Sequence, residues 1–152
     1  MYRALLFLIF TTALCSCAEK SKTVGKELNL SPAVESLYKL VVAKHDEVMP
    51  KISDISKLST LLRSDLENMG EDKGSKEKKE KTLELLTALQ SAHDAMFDWM
   101  GEFKSTLTSA DFYKKNNEKE LLEYLKSEEV KIDRVAKVML ESIGNAEVFI
   151  KK

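Results

Sequence analysis

An all-α, up-down-up three-helix bundle is the fold this sequence predicts, on three observations. Apolar residues recur at three- and four-residue steps almost without a break from Ser31 to the end of the chain. Only five Gly and two Pro punctuate 152 residues, too few for the turn every ~8–12 residues that a β-sandwich or barrel needs. Hydrophobic residues make up 43% of the chain and charged residues 32%, which supplies a core and a solvated outer face.

The first helix starts at Ser31-Pro32, an N-cap followed by proline at the first helical position. Its seam runs Val34, Leu37, Val41, His45, Val48, Ile52, Ile55, Ser59, Leu62, Leu66, Met69. Pro50 interrupts it, because proline cannot donate to the Asp46 carbonyl and crowds that turn, at a cost of about 3 kcal/mol. The seam keeps its register across Pro50, so a kink is expected; a full break there would make four helices. Gly70 is expected to end the helix as a left-handed C′ glycine.

Residues 71–75 read as a hairpin loop, and the second helix as starting near Ser75. Lys76, Lys78, Lys79 and Lys81 oppose the helix dipole there and favour fraying. Its apolar face is broad: Leu85, Leu86, Leu89, Ala92, His93, Met96, Trp99, Met100, Phe103, Leu107. Residues 108–117 carry the second turn, with a short helical piece at 111–115. The third helix has the seam Leu121, Leu125, Glu128, Ile132, Val135, Met139, Ser142, Ala146, Phe149. Short connections make neighbours antiparallel, with rods of roughly 45–57 Å at 1.5 Å per residue. Loops near 72 and 112 let one chain bury its own seams, so a monomer is expected.

The N-terminus has a different character. Arg3 precedes an uncharged, mostly apolar stretch that ends in Leu14-Cys15-Ser16-Cys17. Residues 4–18 fall short of the ~20 needed to span a bilayer, and they match the layout of a secretory signal. Leu at −3 and a small residue at −1 place a bacterial lipobox on Cys17; using Cys15 would put bulky Leu14 at −1. The expected organisation is a signal peptide at 1–16, a lipidated Cys17 with a polar tether at 17–30, and the helical domain at 31–152. Several acyl chains on Cys17 exceed the two signals that stable anchoring requires. Cleavage removes Cys15 and acylation consumes the Cys17 thiol, which leaves no thiol for disulfides, catalysis or metal binding.

The candidate chemistry lies in a repeated word. His45-Asp46-Glu47-Val48-Met49 resembles His93-Asp94-Ala95-Met96, which continues to Met100. His45 and Met49 are one turn apart, as are His93 and Met96. Folding about residue 72 sets His45 level with about 99 and Met49 level with about 95. The imidazoles and thioethers then form a soft layer suited to copper, or to haem iron. The plainer reading makes Met and Trp core filler, with each His facing a carboxylate such as Glu128. Asp94, Asp98 and Glu102 form an acidic row, expected to face Lys131, Arg134 and Lys137.

Several classes are excluded or unsupported. Lys+Arg is 24 against Asp+Glu 25, for a net charge of −1, which offers nothing to nucleic acid. The basic run at 76–81 is interleaved with Glu77 and Glu80 and reads as a solvated helix end. Two His and two Cys cannot build a Cys₄ or His₃ zinc site. No Gly-x-Ser-x-Gly, His-Glu-x-x-His, phosphate-cradling glycine loop or Cys-x-x-Cys-His is present, so no enzyme activity is expected.

The lipobox, His45-Asp46-Glu47-Val48-Met49-Pro50-Lys51, Met96-Phe97-Asp98-Trp99-Met100 and Met139-Leu140-Glu141-Ser142-Ile143 resemble a family of small bacterial lipoproteins. Its members are often labelled "viral A-type inclusion protein", a label that implies nothing viral. The resemblance covers most of the chain after Cys17, departing at 76–81 and Phe112-Tyr113. It implies no established activity, but it makes the His and Met words part of a family pattern. The expectation is a monomeric, lipid-anchored cell-envelope protein facing the periplasm or exterior, acting without catalysis as a binding or interaction module for an envelope partner. The alternative is a copper or haem carrier using His45, Met49, His93, Met96 and Met100.

Overall fold

The computed structural model describes residues 28–151. The expected signal peptide, Cys17 and most of the expected tether lie outside those residues. Among the described residues all regular structure is helical: α1 (Pro32–Val48), α2 (Ile52–Glu67), α3 (Lys73–Glu102), α4 (Ala110–Lys115) and α5 (Glu118–Ile150). The chain is an all-α bundle.

Pro50 divides the first rod without ending it. Residues Met49–Lys51 form one 3₁₀ turn between α1 and α2, which absorbs the bond that proline cannot make. Val48, Met49, Lys51 and Ile52 all keep right-handed helical angles. The seam therefore survives, and Val41, Val48, Ile55 and Leu62 are all buried.

Side-chain pairs establish the directions of the three rods. Ser31 Oγ donates to Glu118 Oε1 at 2.9 Å, and Lys44 Nζ to Glu129 Oε1 at 3.0 Å and Asp133 Oδ2 at 2.7 Å. Numbers rise together, so α1 and α5 run parallel. His45 stacks on Trp99 and Tyr38 on Phe103, so α3 runs the opposite way. α5 supplies the most regular seam: Leu121, Leu125, Glu128, Ile132, Val135, Met139, Ser142 and Ala146 are buried, and Phe149 packs at the margin. Its start is locked by a capping box, Asn117 with Glu120.

Three local expectations are corrected. Gly70 is not a left-handed cap: α2 ends at Glu67 with Asn68 as its C-cap, and no described glycine has positive φ. A Cβ at Gly70 would meet Asp72 Oδ2 at 3.4 Å and Ser75 Oγ at 3.7 Å, which is ordinary contact. Gly70→Ala should therefore raise stability by about 0.4–1 kcal/mol by restricting the unfolded chain; a lower urea midpoint would contradict this. α3 begins at Lys73, earlier than expected, because Asp72 Oδ1 accepts from Gly74 N (3.0 Å) and Ser75 N (3.1 Å). α3 also ends at Glu102, so Leu107 leaves the apolar face and is 66% exposed.

Two apolar clusters fill the bundle. The larger joins α1, α2, α3 and α5 around Leu62, Leu89, Met96, Ile132 and Met139. The smaller closes the end where the chain enters, gathering Leu28, Val34, Tyr113, Leu121 and Leu125. Leu28 is buried and Leu30 packs beside it, so packed chain reaches upstream of Ser31.

Candidate functional site

Aromatic side chains fill the space between α1 and the C-terminal half of α3. Ring centroids run from His45 to Trp99 (5.6 Å), Trp99 to Phe103 (4.8 Å), and Phe103 to Tyr38 (5.9 Å) and Tyr124 (6.4 Å). Phe112 and Tyr113 of α4 complete the series against Tyr124 and Tyr38. Each stacked or edge-on pair adds about 0.5–1.5 kcal/mol beyond its buried area. Trp99 comes from the last turn of α3 and Phe103 from its extended C-cap, four residues on.

Three tyrosine hydroxyls pin the loop between α3 and α4. Tyr124 Oη accepts from Lys104 N at 2.6 Å, and Tyr113 Oη donates to Lys104 O at 2.6 Å. Tyr38 Oη accepts from Thr106 N at 3.3 Å and from Thr106 Oγ1 at 3.2 Å. Ser105 and Thr108, hydrogen-bonded to each other at 2.8 Å, are thereby held at the edge of a groove. That groove measures about 300 Å³ and is lined by Tyr38, Val42, His45, Trp99, Met100 and Phe103, with Asp46, Ser105 and Thr108 at its polar margin.

These tyrosines make the bundle sensitive to alkali. Desolvation pushes Tyr113 well above its ordinary value and Tyr124 up to about 12. Both phenols are neutral in the fold, whereas in the unfolded chain they ionise from about pH 10. Their stabilisation is complete below that pH and is lost as pH rises through the folded values. Lys44, raised by hydrogen bonds to Asp133 and then Glu129, acts in the same direction above its ordinary 10.5. The urea midpoint should fall steadily from about pH 10 to about pH 12, and less steeply in Tyr124→Phe. A midpoint flat across that range would contradict this assignment.

The structure separates the histidine and methionine words. His45 is mostly buried, with its side chain 20% exposed. Its Nδ1 donates to Asp46 Oδ1 at 2.9 Å, and its buried Nε2 has no partner among the described residues. Met100 lines the same groove. Met96 is fully buried in the larger core, and Met49 packs against that core. His93 stacks on exposed Phe97 at 4.6 Å, with Nδ1 bonded to Asp94 Oδ1 at 3.2 Å. It lies six residues before Trp99, about 9 Å along the helix from the ring that meets His45. His45 and Met100 are thus brought to one groove, and the other three are placed elsewhere.

Neither histidine is bonded to Glu128. That carboxylate is 2% exposed; Oε1 accepts from Lys131 Nζ at 2.8 Å, and Oε2 is buried with no described partner. The acidic row does not form the expected ion pairs either. Asp94 accepts from Gln90 Nε2 at 2.8 Å, Lys137 pairs with Glu141 at 3.8 Å, and Glu102 acts on Lys131 through space without a hydrogen bond.

Sequence reasoning found His45, Trp99 and Met100 by their spacing. It missed Tyr38, Val42, Ser105 and Thr108, which sit off the seams or in a loop; Tyr38, one residue after Leu37, offered the single usable signal. Among the described residues, no three His, Cys, Asp or Glu side chains gather as a metal-binding group, and no helix is long and apolar enough to cross a membrane. Compared with known proteins, the chain matches no family model, no curated protein and no solved structure.

Proposed function

We propose that this chain is a non-catalytic binding module, held at the cell envelope by acylation of Cys17, whose ligand enters the groove between α1 and α3. The observation that carries the reading is the groove itself: apolar walls, the polar residues Asp46, Ser105 and Thr108, and His45, whose buried Nε2 has no described partner. Apolar pockets with a few converging polar groups are the usual form of small-ligand sites. The indole Nε1 of Trp99 is also buried without a described partner, a further polar atom left for a ligand or an ordered water. The lipobox supports the anchor. From Cys17 to the packed Leu28 the chain spans at most roughly 40 Å at 3.3–3.6 Å per residue, which would keep the bundle close to the membrane and within reach of envelope partners.

Two measurements test the reading. Cys17→Ser should release the protein from salt-washed membranes while Cys15→Ser leaves it bound; retention of the Cys17→Ser protein would defeat the anchor. Trp99 is the single tryptophan of the chain, so its emission reports on the groove alone. Titration with 1-anilinonaphthalene-8-sulfonate should change that emission saturably at one site. Val42→Phe, which fills the groove, should weaken dye binding by about tenfold (~1.4 kcal/mol) without altering cooperative unfolding. Binding that does not saturate, or that ignores Val42→Phe, would overturn the groove as a site.

A further inference from the structure

The His-Asp word places each imidazole in the same electronic state. In both copies the following carboxylate accepts from Nδ1, at 2.9 Å for His45 and 3.2 Å for His93. A carboxylate can only accept, so Nδ1 carries the proton and, in the neutral ring, Nε2 is a free lone pair. A carboxylate behind Nδ1 is also the usual outer support of a metal-bound histidine, fixing ring orientation and strengthening Nε2 as a donor.

The two copies differ in where that lone pair sits. His93 Nε2 belongs to a ring on the outer edge of α3, against exposed Phe97. His45 Nε2 is buried in the fold with no described partner, and leaving such an atom unsatisfied is unfavourable. His45 and Met100 both line one groove. Met100 is 39% exposed, so its thioether can approach an ion without disrupting the core. An imidazole with a thioether is a soft donor pair, which disfavours magnesium and calcium and favours monovalent copper. Trp99, stacked on His45 at 5.6 Å, adds an aromatic wall that attracts a cation.

We propose that His45 Nε2 and the Met100 thioether hold one copper(I) ion in the α1/α3 groove, with Asp46 orienting the imidazole. This rests on the reading of that groove as a binding site. His93, about 9 Å further along α3, is not a ligand to the same ion, and Met96 remains core filler.

The test uses the full chain with Cys15→Ser and Cys17→Ser, so that no thiol competes, titrated anaerobically with copper(I) against bicinchoninate. One equivalent should bind and quench Trp99 emission. His45→Phe, which keeps the ring stack, should weaken binding by at least tenfold, and Met100→Leu by about tenfold. Asp46→Asn should weaken it about ten- to hundredfold, as loss of an outer support does, while His93→Ala stays within twofold. Urea curves for each variant, matched to the parent, would show that the losses are not unfolding. Failure to compete with bicinchoninate, an equal loss in His93→Ala, or binding of haem in place of copper(I) would overturn the proposal. If copper(I) fails while the naphthalene dye still binds the groove, this proposal alone falls; if both fail, the groove reading falls with it.

Discussion

Leu62→Asp should unfold the bundle. Leu62 is completely buried in α2 and belongs to the larger core cluster. Removing a leucine there costs about 2–5 kcal/mol in lost transfer and packing. An unpaired carboxylate in its place adds several kcal/mol of desolvation penalty. Domains of this kind have only about 5–15 kcal/mol in total, so far-UV circular dichroism should report a largely unfolded chain at 25 °C. Val135→Asp, on the α5 seam, should behave similarly. Lys57→Asp provides the control: Lys57 is exposed on α2, and its substitution should stay within about 0.5 kcal/mol. A helical, cooperative Leu62→Asp protein with the parental urea midpoint would refute the packing described.

The second large effect has opposite signs at two neighbouring residues. Glu128 is buried on the α5 seam, one oxygen held by Lys131 and the other without a described partner. Glu128→Met removes the buried charge and fills the same space, and should raise stability by about 1–3 kcal/mol. Lys131→Met removes the only described cation within hydrogen-bonding distance of it. That leaves the carboxylate buried without a counter-charge, and should lower stability by about 1–3 kcal/mol, less than for a buried pair because the lysine is about half exposed. The double mutant should recover most of the Glu128→Met gain, since Lys131 then has no buried charge to serve. Equal losses in both single mutants would mean that the ion pair itself is a net stabiliser. The Glu128 hydrogen bond also raises Lys131 above its ordinary 10.5. The pair's contribution is therefore present below that value and is lost as pH climbs through the raised one.

Much of this was legible in the sequence because a helix seam is a local property. Every α5 position from Leu121 to Ala146 named by spacing alone is buried, since 3.6 residues per turn fixes which side chains share a face. The errors fall where a local signal had two readings. Gly70 suits a left-handed cap, but Asn68 had already ended the helix in ordinary right-handed geometry. The lysines after Ser75 argued for a frayed start, while Asp72 supplied a cap three residues earlier.

By itself, then, the sequence determined the helical class, the buried seam of each rod and the level at which His45 meets Trp99. Periodicity and loop length settle those, and both can be read along one chain. Only the tertiary structure decided that His45 is enclosed while His93 stands at the surface, although both belong to the same His-Asp word. Only it decided that three tyrosine hydroxyls from α1, α4 and α5 converge on the 104–106 backbone. Periodicity gives an angle around a helix axis but not the gap to the next helix. Here that gap is set by the bulk of Trp99, Phe103 and Tyr38 between α1 and α3, and it leaves a groove beside the His45 imidazole.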